Sequence, residues 1–122
     1  MSTANENENI VSVRTMADFK RTVKENKFCL VFISASWCRP CKRIKPYIFK
    51  KFQLLENVLM VMVDADEGME IYNKLKCKQI PMLYSYVDGE PQDVCTEGKQ
   101  EKVDILFQKL GSRMMNVSTV EF

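Results

Sequence analysis

The chain has 122 residues, 18 Lys and Arg against 16 Asp and Glu, no histidine and a net charge of +2, which gives one compact domain and no electrostatic reason to expect nucleic acid as a partner. No stretch reaches the ~20 apolar residues that cross a bilayer, and the opening MSTANENENI lacks the cationic start and apolar run of a secretory leader, so neither membrane nor export is expected. Five cysteines cannot all pair in a monomer, and the cytoplasm, a reducing compartment where stable disulfides are uncommon, is the expected location.

Residues 1–9 are polar and low in complexity and are expected to form a flexible tail. IVSV at 10–13 reads as a short strand. Thr15 followed three residues later by Asp18 resembles a capping box, opening a helix through about Asn26, with Phe19 and Val23 on its buried face. FCLVFIS at 28–34 is continuously apolar and rich in β-formers, as a strand covered on both faces should be. From Cys38 a helical pattern places Ile44, Ile48, Phe52 and Leu55 on one face. Pro46 lies inside that pattern and removes one donor opposite the Lys42 carbonyl, so a kink is expected there.

VLMVMVD at 58–64 reads as another buried strand, a helix follows over about 67–75, and MLYSYV at 82–87 is a further strand. Asp88-Gly89 is a hairpin signal leading into a strand near 92–96. The last helix carries Val103, Leu106, Phe107 and Leu110 on one face, with Gly111 placed to end it. This order implies an α/β fold, a central mixed β-sheet with helices on both faces. No repeat, linker or second domain is evident; residues 10–111 form the domain and 112–122 a C-terminal extension.

The chemistry is concentrated in SASWCRPCKRIKP, residues 34–46, which holds the only tryptophan and two of the five cysteines. A structural zinc site needs four ligands; with no histidine, and with Cys29, Cys77 and Cys95 isolated from one another, no metal is expected. A disulfide between Cys38 and Cys41 would close too small a loop to stabilise the fold appreciably. A redox pair accounts for the placement. Cys38 stands at a helix N-terminus, where free N–H groups and the helix dipole favour a thiolate. Cys41, one turn in, can attack a mixed disulfide formed on Cys38, and Pro40 restricts the turn between them. Cys29 and Cys77 read as inert core packing, whereas Cys95 is expected nearer the surface by the hairpin, with nothing beside it marking activation. Arg39, Lys42, Arg43 and Lys45 read most simply as a solvated helix face, the alternative being a bias toward acidic partners.

WCRPCKRIKP resembles the thioredoxin active-site motif, usually WCGPC followed by a lysine-rich helix with a proline. The similarity runs from about Ile10 to Leu110, through VDADE, IPM, DGE and TEGKQEKV in order and spacing. It implies the thioredoxin fold and a thiol–disulfide oxidoreductase that reduces protein disulfides and needs no bound cofactor. In that pattern Trp37 covers the redox pair, Cys38 is the exposed nucleophile and Cys41 the buried resolving thiol. Arg39 and Pro40 lie within the substrate-facing turn, and Pro81 matches the family's cis-proline. The resemblance then leaves the backbone of Ile80 open to an extended substrate segment, with Gly98 as another wall of the groove. The implied partners are disulfide-containing proteins and a thioredoxin reductase or another dithiol donor, with the chain acting as a monomer.

Three positions depart from the pattern. Phe32 stands where a buried aspartate is usual behind the resolving cysteine, and Lys45, at the companion lysine's position, loses its matching charge. Arg39 replaces glycine between the cysteines, and Met82 replaces threonine after Pro81. These departures motivate an alternative, a non-enzymatic interaction module that holds a partner through the cis-proline groove and the C-terminal tail.

Overall fold

A computed structural model describes residues 9–120, with side-chain surroundings through Met115. The expected tail therefore falls outside the described residues up to position 8, as do the last two residues of the extension. Asn9 already belongs to the body, because its carbonyl accepts from the Met60 N–H at 2.8 Å.

Among the described residues there are five strands and four helices, alternating except where β4 is followed directly by β5. They are β1 (Ile10–Ser12), α1 (Met16–Glu25), β2 (Phe28–Ser34), α2 (Arg39–Phe52), β3 (Leu59–Asp64), α3 (Met69–Lys74), β4 (Met82–Val87), β5 (Glu90–Cys95) and α4 (Gln100–Val120). The strand order is β1-β3-β2-β4-β5. β3 is parallel to both β1 and β2, whereas β2–β4 and β4–β5 are antiparallel. The sheet is mixed, as the order of elements requires.

β2 runs through the middle, and its apolar run serves two cores because successive side chains point to opposite faces. Cys29, Val31 and Ile33 join Phe19, Val23 and Ile71 on the side of α1 and α3. Leu30 and Phe32 join Ile44, Ile48, Phe52 and Leu110 on the side of α2 and α4. Full burial of such side chains contributes about 1.5–3 kcal/mol each, so this one strand pins helices to both faces.

Local signals set several boundaries. Thr15 caps α1, its Oγ1 accepting from the Asp18 N–H at 3.1 Å, while the Asp18 carboxylate turns to Arg21 at 3.1 Å. Asp88 and Gly89 have φ of 53° and 81°, and Val87 pairs with Glu90 around them. Two residues with positive φ make the tight turn whose twist matches the strands, and glycine carries the second at no steric cost. α2 ends at Phe52, so Leu55, expected on its face, lies beyond the helix but still packs on the core.

Gly111 does not end the last helix: α4 runs unbroken from Gln100 to Val120. A glycine inside a helix costs about 1 kcal/mol, and packing on both sides of it outweighs that. Leu110 is fully buried, Met114 packs against the same core, and Arg113 Nε donates to Asp93 Oδ2 on β5 at 3.2 Å.

Candidate active site

β2 delivers the chain to the site. After Ser34 a short loop turns back on itself, the Cys38 N–H donating to the Ala35 carbonyl at 3.1 Å. Cys38 then caps α2. Its sulfur accepts from the Cys41 N–H at 3.2 Å, and its carbonyl accepts the first helical bond, from Lys42 N, at 3.2 Å. Pro40 lies in the first turn, where its missing N–H costs no helical bond. The arrangement puts the Cys38 sulfur among the free N–H groups of a helix N-terminus, where negative charge on sulfur is favoured.

Cys38 and Cys41 are joined by a disulfide, with Cα atoms 5.3 Å apart. Cys38 was expected to be the exposed member, yet it is only 4% exposed against 2% for Cys41. Bonded to its partner and packed with Ala35 against the α2 core, its side chain has little contact with solvent in the oxidised state. Position along the helix, rather than exposure, distinguishes the two sulfurs.

The other three cysteines are free and buried. Burial pushes the Cys29 thiol up to about 11 and also raises Cys77. Cys95 was placed near the surface by the sequence reading but is 7% exposed. It faces inward because it pairs with Leu83 in register, and its sulfur donates to the Glu97 carbonyl at 3.1 Å. Burial raises its pKa as well. Thiolate is the nucleophilic form, so all three are poor nucleophiles at neutral pH.

The remaining predicted positions come together from three segments. The Ile80–Pro81 bond is cis, and neither the N–H nor the C=O of Ile80 has a hydrogen-bond partner among the described residues. A Cβ placed on Gly98 would lie 3.3 Å from Pro81 Cγ, 3.7 Å from the Pro40 carbonyl oxygen and 3.9 Å from Ile44 Cβ. Gly98 is therefore the contact point between the cysteine turn and the proline loop, and its missing side chain permits the approach. Arg39 and Pro40 are exposed beside it.

Trp37 is 65% exposed. Its indole Nε1 donates to Asp66 Oδ2 at 2.9 Å, which holds the ring as one wall of an open cleft of about 520 Å³ also bounded by Met69, Tyr72 and Ile80. The role of Asp66 escaped the sequence reading, although the VDADE segment that carries it had been singled out. The loop is set in place by the Ala65 N–H donating to the Ser34 carbonyl at 2.8 Å. Asp64 Oδ1 also accepts from the N–H groups of Asp66 and Glu67 at 2.8 and 3.0 Å.

Phe32 is fully buried behind the pair, so no carboxylate occupies that position. Lys45 lies with its Nζ 5.5 Å from the Phe49 ring centroid. A carboxylate does stand nearby, since Asp64 shares a cleft of about 240 Å³ with Phe32, Cys41 and Lys45. Among the described residues no group of three or more Cys, Asp or Glu side chains could hold a metal ion, and no helix is long and apolar enough to cross a membrane.

Comparison with known proteins agrees with this geometry. The family model described as Thioredoxin matches residues 10–110. The chain is 33% identical over 90 residues to Thioredoxin-2 of Pyricularia oryzae, a match covering 74% of this chain and 53% of that protein, so the chain spans about half of that relative's length. It is 27% identical over 103 residues to thioredoxin of Gallus gallus, covering 83% of this chain and 98% of that one. The crystal structure of thioredoxin from Trypanosoma brucei brucei superposes with a TM-score of 0.78 at 25% identity, covering 87% of this chain and 91% of that one. A disulfide at a helix N-terminus, a cis-proline loop packed against it and a match over nearly the whole domain lead to one conclusion: the chain belongs to the thioredoxin family of thiol–disulfide oxidoreductases.

Proposed function

We propose that the chain reduces disulfides in other proteins, with Cys38 as the attacking thiol and Cys41 as the resolving one. The observation that carries this reading is that the Cys38 sulfur caps α2 and accepts the Cys41 N–H. The same N–H that meets the sulfur in the disulfide would stabilise a Cys38 thiolate once the pair is reduced.

The Cys38 thiolate attacks one sulfur of the substrate disulfide. A Cys38–substrate disulfide forms and the other substrate sulfur leaves as thiolate. Cys41, losing its proton, then attacks the Cys38 sulfur. The Cys38–Cys41 disulfide re-forms and the second substrate sulfur leaves. Two electrons have passed to the substrate, and a dithiol donor, a thioredoxin reductase or its equivalent, returns them.

Ile80 supplies an unpaired backbone N–H and C=O to an extended substrate segment, in the manner of strand addition. Gly98 and Pro40 wall one side of that segment and Trp37 the other. The working unit is the domain of residues 10–111 acting as a monomer, with 112–122 as an extension. Three free buried thiols suit a reducing compartment such as the cytoplasm.

Insulin reduction with dithiothreitol as donor tests the reading. The wild type is expected to accelerate precipitation of the insulin B chain, and the Cys38→Ser/Cys41→Ser variant to match the blank. Equal rates for the two proteins would leave only the non-enzymatic binding module.

A further inference from the structure

Cys38 heads a helix that carries six cations and no carboxylate. Arg39, Lys42, Arg43 and Lys45 lie within two turns of the disulfide, and all four are exposed. None of them makes an ion pair among the described residues; on α2 only Lys51 does, with Asp104 at 3.2 Å.

The acids from the end of β3 onward are arranged differently, and one of them, Asp64, borders the same cleft as Lys42 and Lys45. Asp64 and Asp66 are hydrogen-bonded into their own loop and to Trp37, Glu67 pairs with Arg14 at 3.4 Å, and Glu70 accepts from the Met16 N–H at 3.0 Å. They are tethered to the body of the protein, whereas Arg39, Lys42 and Arg43 are exposed and make no ion pair among the described residues. Charge around the site is therefore uneven: unpaired cations gather on the first turns of α2, whereas the acids from the end of β3 onward are already engaged by N–H groups or by Arg14. With a net charge of only +2 for the whole chain, this is a local asymmetry rather than a general basicity.

Resting on the reductase reading, we propose that the preferred partners present a disulfide flanked by Asp or Glu on the side that meets Arg39, Lys42 and Arg43. The occupant is a protein and not a nucleic acid, because the cationic surface begins one residue from the reacting sulfur. Whatever docks there must place a sulfur against Cys38. Complementary charge at such a site acts mainly on the encounter rate and on the choice of partner. It also gives a role to Arg39 in the turn between the cysteines, where it is exposed next to the reacting sulfur.

The test uses two disulfide-bearing peptides alike except for three flanking residues, Glu in one and Gln in the other. The dithiothreitol-reduced protein is mixed with each, and the second-order rate constants are compared. At low ionic strength the Glu peptide is expected to react about tenfold faster, the lower end of electrostatic steering. In ~1 M NaCl, where the screening length is ~3 Å, the ratio is expected to approach one. The Lys42→Glu/Arg43→Glu variant is expected to invert the ratio, and a ratio within one protein is insensitive to a general loss of activity. Equal rates at low salt, or an acidic preference that survives the charge reversal, overturn the proposal and leave α2 a merely solvated face. Failure of both peptides to react overturns the reductase reading itself, and this proposal with it. An oligonucleotide that slows the Glu and Gln peptides equally at low salt would make the cations a nucleic-acid surface instead.

Discussion

Trp37 and Asp66 lie 29 residues apart in the chain and meet through one hydrogen bond, indole Nε1 to carboxylate Oδ2 at 2.9 Å. The bond joins the loop after β2 to the loop after β3 and fixes the orientation of a ring that is otherwise mostly exposed. Asp66→Ala is expected to free the ring with little loss of stability, because an exposed hydrogen bond contributes about 0.5–1.5 kcal/mol. Trp37 is the only tryptophan, so fluorescence reports on it alone. Anisotropy decay is expected to show faster local motion in the variant, and kcat/KM for a protein disulfide is expected to fall several-fold. Unchanged anisotropy would mean that packing, not Asp66, holds the ring.

Alkylation of the reduced protein should separate the five thiols. Cys38 stands at the helix N-terminus, while burial raises Cys29, Cys77 and Cys95. Iodoacetamide at neutral pH is expected to label Cys38 first, Cys41 far more slowly, and the other three only after unfolding. Peptide mapping by mass spectrometry reads the order. Cys41→Ser is expected to accumulate mixed disulfides through Cys38; preferential labelling of Cys41 would reverse the roles.

Phe32 sets up a second kinetic expectation. A phenyl ring cannot take the proton that Cys41 must lose, so resolution of the mixed disulfide should be slow relative to its formation. Phe32→Asp is expected to speed resolution. It should also destabilise the fold by at least about 3–5 kcal/mol, the cost of emptying a buried aromatic site, with desolvation of the new carboxyl added. Stopped-flow single turnovers read the first effect and urea titration the second. Equal resolution rates would point to solvent, or to Asp64 across the shared cleft, as the proton acceptor.

Arg39 should also tune the potential of the pair. A guanidinium beside Cys38 favours the thiolate, and hence the reduced dithiol, over the neutral disulfide. Removing it in Arg39→Gln should make the pair a slightly weaker oxidant. Arg39 is exposed, and an exposed charge interaction is worth about 0.2–1 kcal/mol. With 30 mV equal to about 1.4 kcal/mol for a two-electron couple, the expected fall is about 5–20 mV. Equilibrium titration against glutathione should place Arg39→Lys near the wild type and Arg39→Gln below both. Coincidence of Gln and wild type at low salt would confine Arg39 to partner recognition.

Much of this molecule was legible in the sequence because the deciding interactions are local. The β2 run, the Asp88-Gly89 turn, the Thr15 cap and the spacing of Ile44, Ile48 and Phe52 each signal their element through side-chain period or backbone preference within a few residues. The redox pair was legible for the same reason, since Cys38 and Cys41 are one helical turn apart and their chemistry depends on that turn.

What the tertiary structure decided depends on residues far apart in the chain. Gly111 has the local chemistry of a helix end, but contacts of Leu110, Met114 and Arg113 with the core and β5 carry α4 past it. Cys95 follows a turn and looks exposed, until register with Leu83 aims it inward. Asp66 finds Trp37, and Gly98 closes on Pro40 and Pro81, only after the sheet has brought their loops together. Sequence pattern reports the conformation a residue prefers among its neighbours in the chain. Which distant groups it touches follows from strand order and register, and those are fixed by burying the whole core at once.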